Sequence, residues 1–402
     1  MTAHLLAVAV GPVQEFISAA RRTRDLWFGS YLLSEISKAT AKSVQDHGGA
    51  LIFPAPSNST DLDPDSRLNV ANIIVAELKE SDPATVARAA KAAAQAHWRS
   101  FADWVFRNNQ GVIQHEIWGD QVDDVIEFYA SWRVYSPETY AQDRAALMRL
   151  LAARKRCRDF LPAMGRAGIP KSSLDGLRES VLRRPRDSPA RLRLAEGEQL
   201  DVVGLVKRAW VPGTGSVPRY PSVARVAADP WLRRVDVARL GPLVKACRDL
   251  GKEVLFEIDS PQYAAFPFEG TAVFRSRHHE FQREADVSPE DLKPLVRALK
   301  ELTHDFGEPS PYLGVLVADG DRIGQALSAL QSPDEHRQFS QALAGFAGDA
   351  RQIVNLHNGV LVYAGGDDVL AFVPVDRSIA CSRALRDQFN QALAPWLHIP
   401  TM

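Results

Sequence analysis

Two short acidic motifs carry the chemistry available to this chain. Asp319-Gly320-Asp321 follows an apolar run from Tyr312 to Ala318 and precedes a helical pattern. Gly365-Gly366-Asp367-Asp368 lies between two further apolar runs. A glycine pair between two strands reads as a hairpin turn, because glycine adopts the positive φ values a tight turn requires. The turn then holds Asp367 and Asp368 side by side at its tip. Carboxylates gathered between buried strands need a counter-charge, and a divalent cation carrying phosphate oxygens supplies one. An all-oxygen ligand set selects Mg²⁺ or Mn²⁺. Taken alone, the second motif also fits an ordinary Asp/Gly turn. The first motif sets it apart. In an antiparallel sheet the end of one strand can lie beside the tip of a neighbouring hairpin, so Asp319, with Asp321 close by, is expected to face Asp367 and Asp368. Gly320 lets the backbone approach the ion or the phosphates. The helix after Asp321 is expected to point its N-terminus at the same place, which favours phosphate. Two ions held there activate an attacking hydroxyl and stabilise departing pyrophosphate, the chemistry of a nucleotidyltransferase or cyclase palm.

The elements that position these acids occur twice. Tyr312 to Ala318 reads as a strand, Arg322 to Leu330 and then His336 to Leu356 as helix, and the glycine-rich stretch as a hairpin followed by a helix from Ser378. Near the N-terminus, Leu5 to Val10 reads as a strand, Val13 to Asp46 as helix, and Ala50–Phe53 and Val70–Leu78 as two more strands. The two segments align with Leu6 against Leu313 and Gly48 against Asn358. The first copy has Gly-Pro-Val-Gln at its strand end and Pro-Ala-Pro-Ser after its second strand, so one copy can bind metal and the other is degenerate. The fold class expected is α+β: two ferredoxin-like palm domains separated by a mostly helical region. The divisions are 1–80 for the first, degenerate palm, 81–305 for the helical middle, and 306–402 for the second palm.

Bulk properties narrow the class. With 402 residues and 46% apolar composition, the chain can build two or three domain cores. Cys157, Cys247 and Cys381 are scattered with no C-x-x-C pair, so neither a disulfide framework nor a cysteine-built zinc site is expected. The apolar N-terminal run is too short for a signal or a span, and no longer one occurs, which points to a cytoplasmic protein without membrane contact. Net charge is −1, so bulk charge says nothing about a polyanionic partner. Local charge does: Arg144, Arg149, Arg154, Lys155, Arg156 and Arg158 are expected to face outward, and with Arg166, Lys171, Arg178, Arg183, Arg184, Arg186, Arg191 and Arg193 they form a basic region. It fits either a solvated surface or contact with a nucleic-acid backbone. Lys171-Ser172-Ser173 reads as a helix start. Aromatic residues from Trp98 to Trp132 read as helix core, the adjacent His278 and His279 read as structural rather than as metal ligands, and residues 211–222 read as a Pro/Gly-rich loop.

With these motifs in view, the chain resembles the large, polymerase/cyclase-like subunit of type III-B CRISPR effector complexes. The resemblance rests on Val10 to Glu35, Lys171 to Gly176, Gly197 to Leu200, Ala318 to Gly324 and Gly365 to Asp368. It implies two palms packed face to face, other complex subunits, guide RNA and target RNA as partners, and ATP as substrate for cyclic oligoadenylate messengers in antiviral defence. Carried over by position, Asp367, Asp368 and Asp319 are catalytic. Those three and Asp321 hold the metal, and Gly320, Gly365, Gly366 and Asp321 bind nucleotide. The chain departs from the family pattern in starting at the first palm without a histidine-aspartate nuclease domain and in lacking a cysteine-ligated zinc. It also ends about where a last palm strand is expected, as a C-terminally shortened product would. A non-catalytic scaffold subunit of the same complex and a stand-alone diguanylate cyclase are the alternatives.

Overall fold

The computed structural model describes residues 3–397 apart from 59, 158–164, 185–188, 190–191, 212–219, 252–253, 256, 259 and 286. Arg158, Arg186, Arg191 and most of the 211–222 loop, named above, lie outside the described residues, as does the end of the chain from 398 to 402. The chain opens with β1 (His4–Gly11), the short helix α1 (Gln14–Ser18), the long helix α2 (Thr23–Asp46), β2 (Gly49–Phe53), β3 (Ile73–Leu78) and α3 (Pro83–Asn109). Helix α4 (His115–Val122) leads to β4 (Glu127–Val134) and α5 (Tyr140–Arg156). Next come α6 (Val202–Ala209), α7 (Val223–Leu232), α8 (Val237–Asp249), α9 (His279–Ala285) and α10 (Lys293–Phe306). The last part is β5 (Leu313–Ala318), α11 (Ile323–Ala329), α12 (Pro333–Leu356), β6 (Val360–Gly365), β7 (Asp368–Pro374) and α13 (Ser378–Ala392).

The first sheet has the order β2-β3-β1-β4 and the second β6-β7-β5, antiparallel throughout. Each follows the same path of strand, short helix, long helix, hairpin and helix. Side chains alternate across each sheet, and one face is covered by the unit's own helices. Leu6, Val8, Val10, Leu51, Ile74 and Ala76 join α2 and α3 in one core. Leu316, Ala318, Leu361, Val369 and Ala371 join α12 and α13 in another.

The likeness extends to detail. Both α2 and α12 span 24 residues. At their ends His47 and His357 bring Nδ1 to 2.7 and 2.8 Å from the carbonyls of Ser43 and Ile353. Gly48 and Asn358 then turn through φ of +88° and +56°, the left-handed step that ends a helix. Gly49 and Gly359 pass so close to Val44 and Val354 that a Cβ would stand 2.6 and 2.8 Å from a valine methyl. Both hairpins shift register one residue on, between Leu51 and Phe53 and between Leu361 and Tyr363.

The structure corrects three expectations. Residues 127–134, read as helix, form β4 beside β1, so the first unit runs past residue 80. The β-branched and aromatic residues there alternate faces, with Phe128, Ala130 and Trp132 opposite Val10, Val8 and Leu6. Second, the first strands align three residues away from the sequence expectation: Leu6 pairs with Ala76 as Leu316 pairs with Ala371, and Val8 with Ile74 as Ala318 with Val369, which sets Leu6 against Leu316 and Val8 against Ala318; an odd slip exchanges the faces of a strand. Third, no helix starts at Ser172. Lys171 pairs across a turn with Glu179, Gly176 takes φ +70° at its tip, and Ser172 N–H donates to Arg178 O at 2.8 Å.

Stretches that looked separate in sequence meet here. Arg208 on α6 is buried between Asp25 on α2 (2.6 Å) and Glu198 (3.0 Å), and Lys207 Nζ donates to Phe16 O at 2.7 Å. Much of the basic region is neutralised locally. Arg166 pairs with Glu116 and Asp120, Lys171 with Glu179, and Arg178 donates to Asp124 O, while Arg149, Lys155 and Arg156 remain on the exposed side of α5; Arg144, expected to face outward, is instead buried over the Tyr140 ring. His278 is buried with Nε2 2.9 Å from Ala272 O.

The two units pack crosswise: α12 lies on β2 and α2 on β6. Arg337 Nε donates to Leu51 O at 2.9 Å and its guanidinium approaches Glu77 at 3.7 Å. Ser340 Oγ accepts from Ala55 N–H at 3.0 Å. The Tyr140 hydroxyl and His336 Nδ1 are hydrogen-bonded at 2.7 Å. Burial, then Arg144 and Arg337, push the His336 imidazole down to about 3, so it is neutral at physiological pH. Behind the second unit, α7 to α10 form a separate helical core. Arg233, which caps the C-terminal end of α7, links Asp229 to Asp376 at 2.7 and 2.8 Å. Among the described residues no helix is long and apolar enough to cross a membrane.

Candidate functional site

The acidic motifs come together at one end of the second sheet. Ala318 pairs with Val369 and Gly365 with Asp368, so the chain leaving β5 at Asp319 runs beside the β6–β7 turn. That turn has two residues, Gly366 and Asp367. Gly366 takes φ +66° with open space where a Cβ would lie, which suits a two-residue hairpin with glycine first. Gly365, also expected at positive φ, is instead the last residue of β6. It must be glycine because the Tyr363 hydroxyl fills its Cβ position and bonds Gly365 O at 3.3 Å.

The Asp319 side chain lies beside both Asp367 and Asp368 and opposes their ionisation. Burial, then Asp368 and Asp319, push the Asp367 carboxyl above its ordinary range; burial, then Asp319, does the same to Asp368. The same pair of carboxylates, after burial, raises the Tyr363 hydroxyl to about 12. Among the described residues no lysine or arginine forms an ion pair with any of the three. Asp321 is exposed on the turn leading into α11. The structure therefore gathers Asp319, Asp367 and Asp368 and leaves Asp321 outside that set.

Gly320 has a different reason to be glycine than ligand approach. A Cβ there would stand 2.6 Å from Asp367 Cβ, 2.6 Å from the Phe389 ring and 2.8 Å from Ile323. It is what lets the strand end lie against the hairpin. Arg322 takes the left-handed conformation at φ +66° and α11 starts one residue later, anchored by buried Ile323 and Ala326.

These residues fit a divalent cation. Like charges crowd together and hold Asp367 and Asp368 above their ordinary range, and no lysine or arginine among the described residues pairs with them. As placed, no three His, Cys, Asp or Glu side chains among the described residues form a group that could hold a metal ion by themselves. An open set of this kind suits Mg²⁺, which commonly takes one or two carboxylates and completes its shell with substrate phosphates.

Sequence reasoning found the acids but not their neighbours from the first unit. Ser30, Leu33 and Ser34 of α2, with Asn69 and Val70, line a cavity of about 30 Å³ against Tyr363, Ala364 and Gly365. Their only sequence signal is small polar residues on an otherwise apolar helix face.

Comparison with known proteins agrees with this arrangement. Residues 312–401 match the family described as Cas10/Cmr2, second palm domain, and residues 5–103 that described as CRISPR-associated protein Cmr2, N-terminal. The CRISPR system Cmr subunit Cmr2 of Pyrococcus furiosus is 27% identical over 230 residues, 48% of this chain and 26% of that protein. The fold is similar to a chain in the type III-B Cmr-beta complex in its apo state, with TM-score 0.65 and 15% identity over 96% of this chain and 61% of the other. The same complex bound to cognate target RNA gives TM-score 0.63 and 15% identity over 96% and 62%. The match thus spans about a quarter of the curated relative and under two thirds of those structures.

Proposed function

On the premise that both ends of this chain carry Cas10/Cmr2-type domains, we propose that it serves as the large subunit of a type III-B CRISPR effector complex and converts ATP to cyclic oligoadenylates once target RNA is bound. The observation that carries this reading is the meeting of Asp319 with Asp367 and Asp368 beside a unit of the same fold that has no acids at the matching places. The partners are the other complex subunits and, through them, guide and target RNA in the cytoplasm.

In this reading Asp319, Asp367 and Asp368 hold Mg²⁺ or Mn²⁺, with Asp321 next to them. The bound ion supplies charge neutralisation for the triphosphate and a more acidic attacking hydroxyl. The residues of the chain do the placing. Gly366 leaves the turn bare, so phosphate oxygens can reach the backbone. Gly320 brings the β5 end against the hairpin, which fixes Asp319 relative to Asp367. The first unit closes the other side of the site with α2 and the 69–70 segment.

The test is a complex reconstituted with its partner subunits, guide and target RNA, ATP and Mg²⁺ or Mn²⁺. Mass spectrometry should detect cyclic adenylates, and the Asp367→Asn, Asp368→Asn pair should lower the rate by about 10³-fold or more, roughly 4 kcal/mol in the barrier. Product undiminished in that variant overturns the assignment. Turnover of GTP in place of ATP supports a diguanylate cyclase, and an RNA-bearing complex without turnover supports a scaffold.

A further inference from the structure

Helix α2 buries a row of polar side chains that its packing alone does not require. Glu35 and Lys38 are each 2% exposed and pair at 2.6 Å, with Ser34 beside them. Such groups are unfavourable in a core unless their bonds are made. All three bond the same loop. Glu35 Oε2 accepts from Asp65 N–H at 3.0 Å, Lys38 Nζ donates to Ser66 O at 2.9 Å, and Ser34 Oγ accepts from Val70 N–H at 3.0 Å. The loop so held carries Asn69 to the second unit, where Nδ2 donates to Ala364 O at 3.0 Å. Ala364 stands directly before Gly365-Gly366-Asp367-Asp368. Among the described residues, this is the one hydrogen bond from the first unit to the β6–β7 hairpin.

The other half of the crossed interface is built differently. There Arg337 bonds Leu51 O and Ser340 bonds Ala55 N–H, so the degenerate hairpin is tied at two backbone points. Ser30 occupies the place in α2 that Ser340 occupies in α12, yet it lines the small cavity beside Gly365. Among the described residues, the acid-bearing hairpin is therefore hydrogen-bonded to the first unit only at Ala364.

We propose that Asn69 is a positioning residue for the acid-bearing hairpin. By holding Ala364 O it sets the height of the Gly366-Asp367 turn above the first unit, and with it the spacing of Asp367 and Asp368 from Asp319. The row Ser34, Glu35 and Lys38 keeps Asn69 in place. The kinetic part of this inference rests on the nucleotidyl-transfer reading; the structural part does not.

Two measurements test it. In the reconstituted complex, Asn69→Ala should lower kcat about tenfold, the effect of one lost hydrogen bond of about 1.4 kcal/mol. The KM for ATP should stay within about twofold, and the Mg²⁺ concentration for half-maximal rate should rise several-fold. Asn69→Gln, which keeps the donor, should recover part of the rate, and Asn69→Asp, which sets an oxygen against Ala364 O, should fall at least as far as Asn69→Ala. In the full chain without metal or nucleotide, hydrogen exchange at residues 365–368 should quicken in Asn69→Ala and Asn69→Asp, while residues 49–53 keep the wild-type rate. Unchanged exchange at 365–368, or a loss that lies wholly in KM, overturns the proposal. A wild-type complex that makes no adenylate product overturns the nucleotidyl-transfer reading, and the exchange measurement still decides the role of Asn69.

Discussion

The two strand–helix–hairpin units share a skeleton and differ at their turns. Both have a 24-residue helix, a histidine at its end, a left-handed step, a glycine pressed on valine and a bulge one turn of strand later. The second unit joins β6 to β7 with two residues and loads that turn with acid. The first joins β2 to β3 through residues 54–72, a stretch with no charge at the equivalent tip but with Asn69 near its end. The longer connection in the first unit reaches the other unit, where Asn69 bonds Ala364 O. The core-facing positions maintain the fold in both copies, while the strand ends are free to diverge. The edges differ too. β1 is flanked by β4, whereas among the described residues no strand pairs with the outer side of β5, and Val315 and Val317 there are 62% and 74% exposed.

The comparison can be broken most sharply at Gly320. Gly320→Ala should destabilise the second unit by about 1–3 kcal/mol, because its Cβ meets a backbone-proximal carbon of Asp367 and an aromatic ring that Phe346 holds edge-on. Adenylate synthesis should fall with it, since Asp367 must shift. Denaturant unfolding and product assay check both, and wild-type behaviour in each would show that the strand end and hairpin are not pressed together.

A matched pair sharpens the comparison. Gly49→Ala and Gly359→Ala place a methyl against equivalent valines and should cost about 1–2 kcal/mol each. Only Gly359→Ala, on the hairpin that carries the acids, should also reduce turnover at temperatures where both variants stay folded. Equal effects on turnover would mean that the two hairpins are coupled as one rigid body.

The smallest effect is electrostatic. The Asp367 carboxyl is raised, so between the ordinary value of 3.8 and its raised value the folded state holds a proton that the unfolded state has released. Stability contributed by that proton is present at low pH and lost as pH rises through the raised value. Asp367→Asn should therefore raise the metal-free melting temperature at pH 7 by on the order of 1 °C, with the gain vanishing in acid. Mg²⁺ should stabilise the wild type and not the variant. Thermal unfolding across pH, with and without the ion, reads both, and a variant less stable than wild type without metal would show that the carboxylates are not in conflict.

Much of this was legible in the sequence because it is local. Gly366 followed by Asp367 specifies a tight turn through backbone sterics, and an apolar strand ending at Asp319 specifies where an acid emerges. The repeat was visible from glycines and the order of elements. The strand at Glu127–Val134 was not, because a short run rich in apolar and aromatic residues fits both periods, and only pairing with β1 selects one. Ser172 has the residue type of a helix cap, but the pairing of Lys171 with Glu179 makes its surroundings a turn.

What the sequence by itself determined is the set of turns and the acids on them, since φ preferences and charge belong to single residues. Tertiary structure decided which acids meet. Asp319 joins Asp367 and Asp368 because Ala318 pairs with Val369, and Asp321 falls outside because the chain has already left the sheet. Tertiary structure also decided why Gly320 and Gly365 are glycines, as both are fixed by atoms of other residues. The link from Ser34, Glu35 and Lys38 through Asn69 to Ala364 joins residues some three hundred positions apart. No propensity encodes such a contact; it exists because two similar units pack crosswise and bury each other's hairpins.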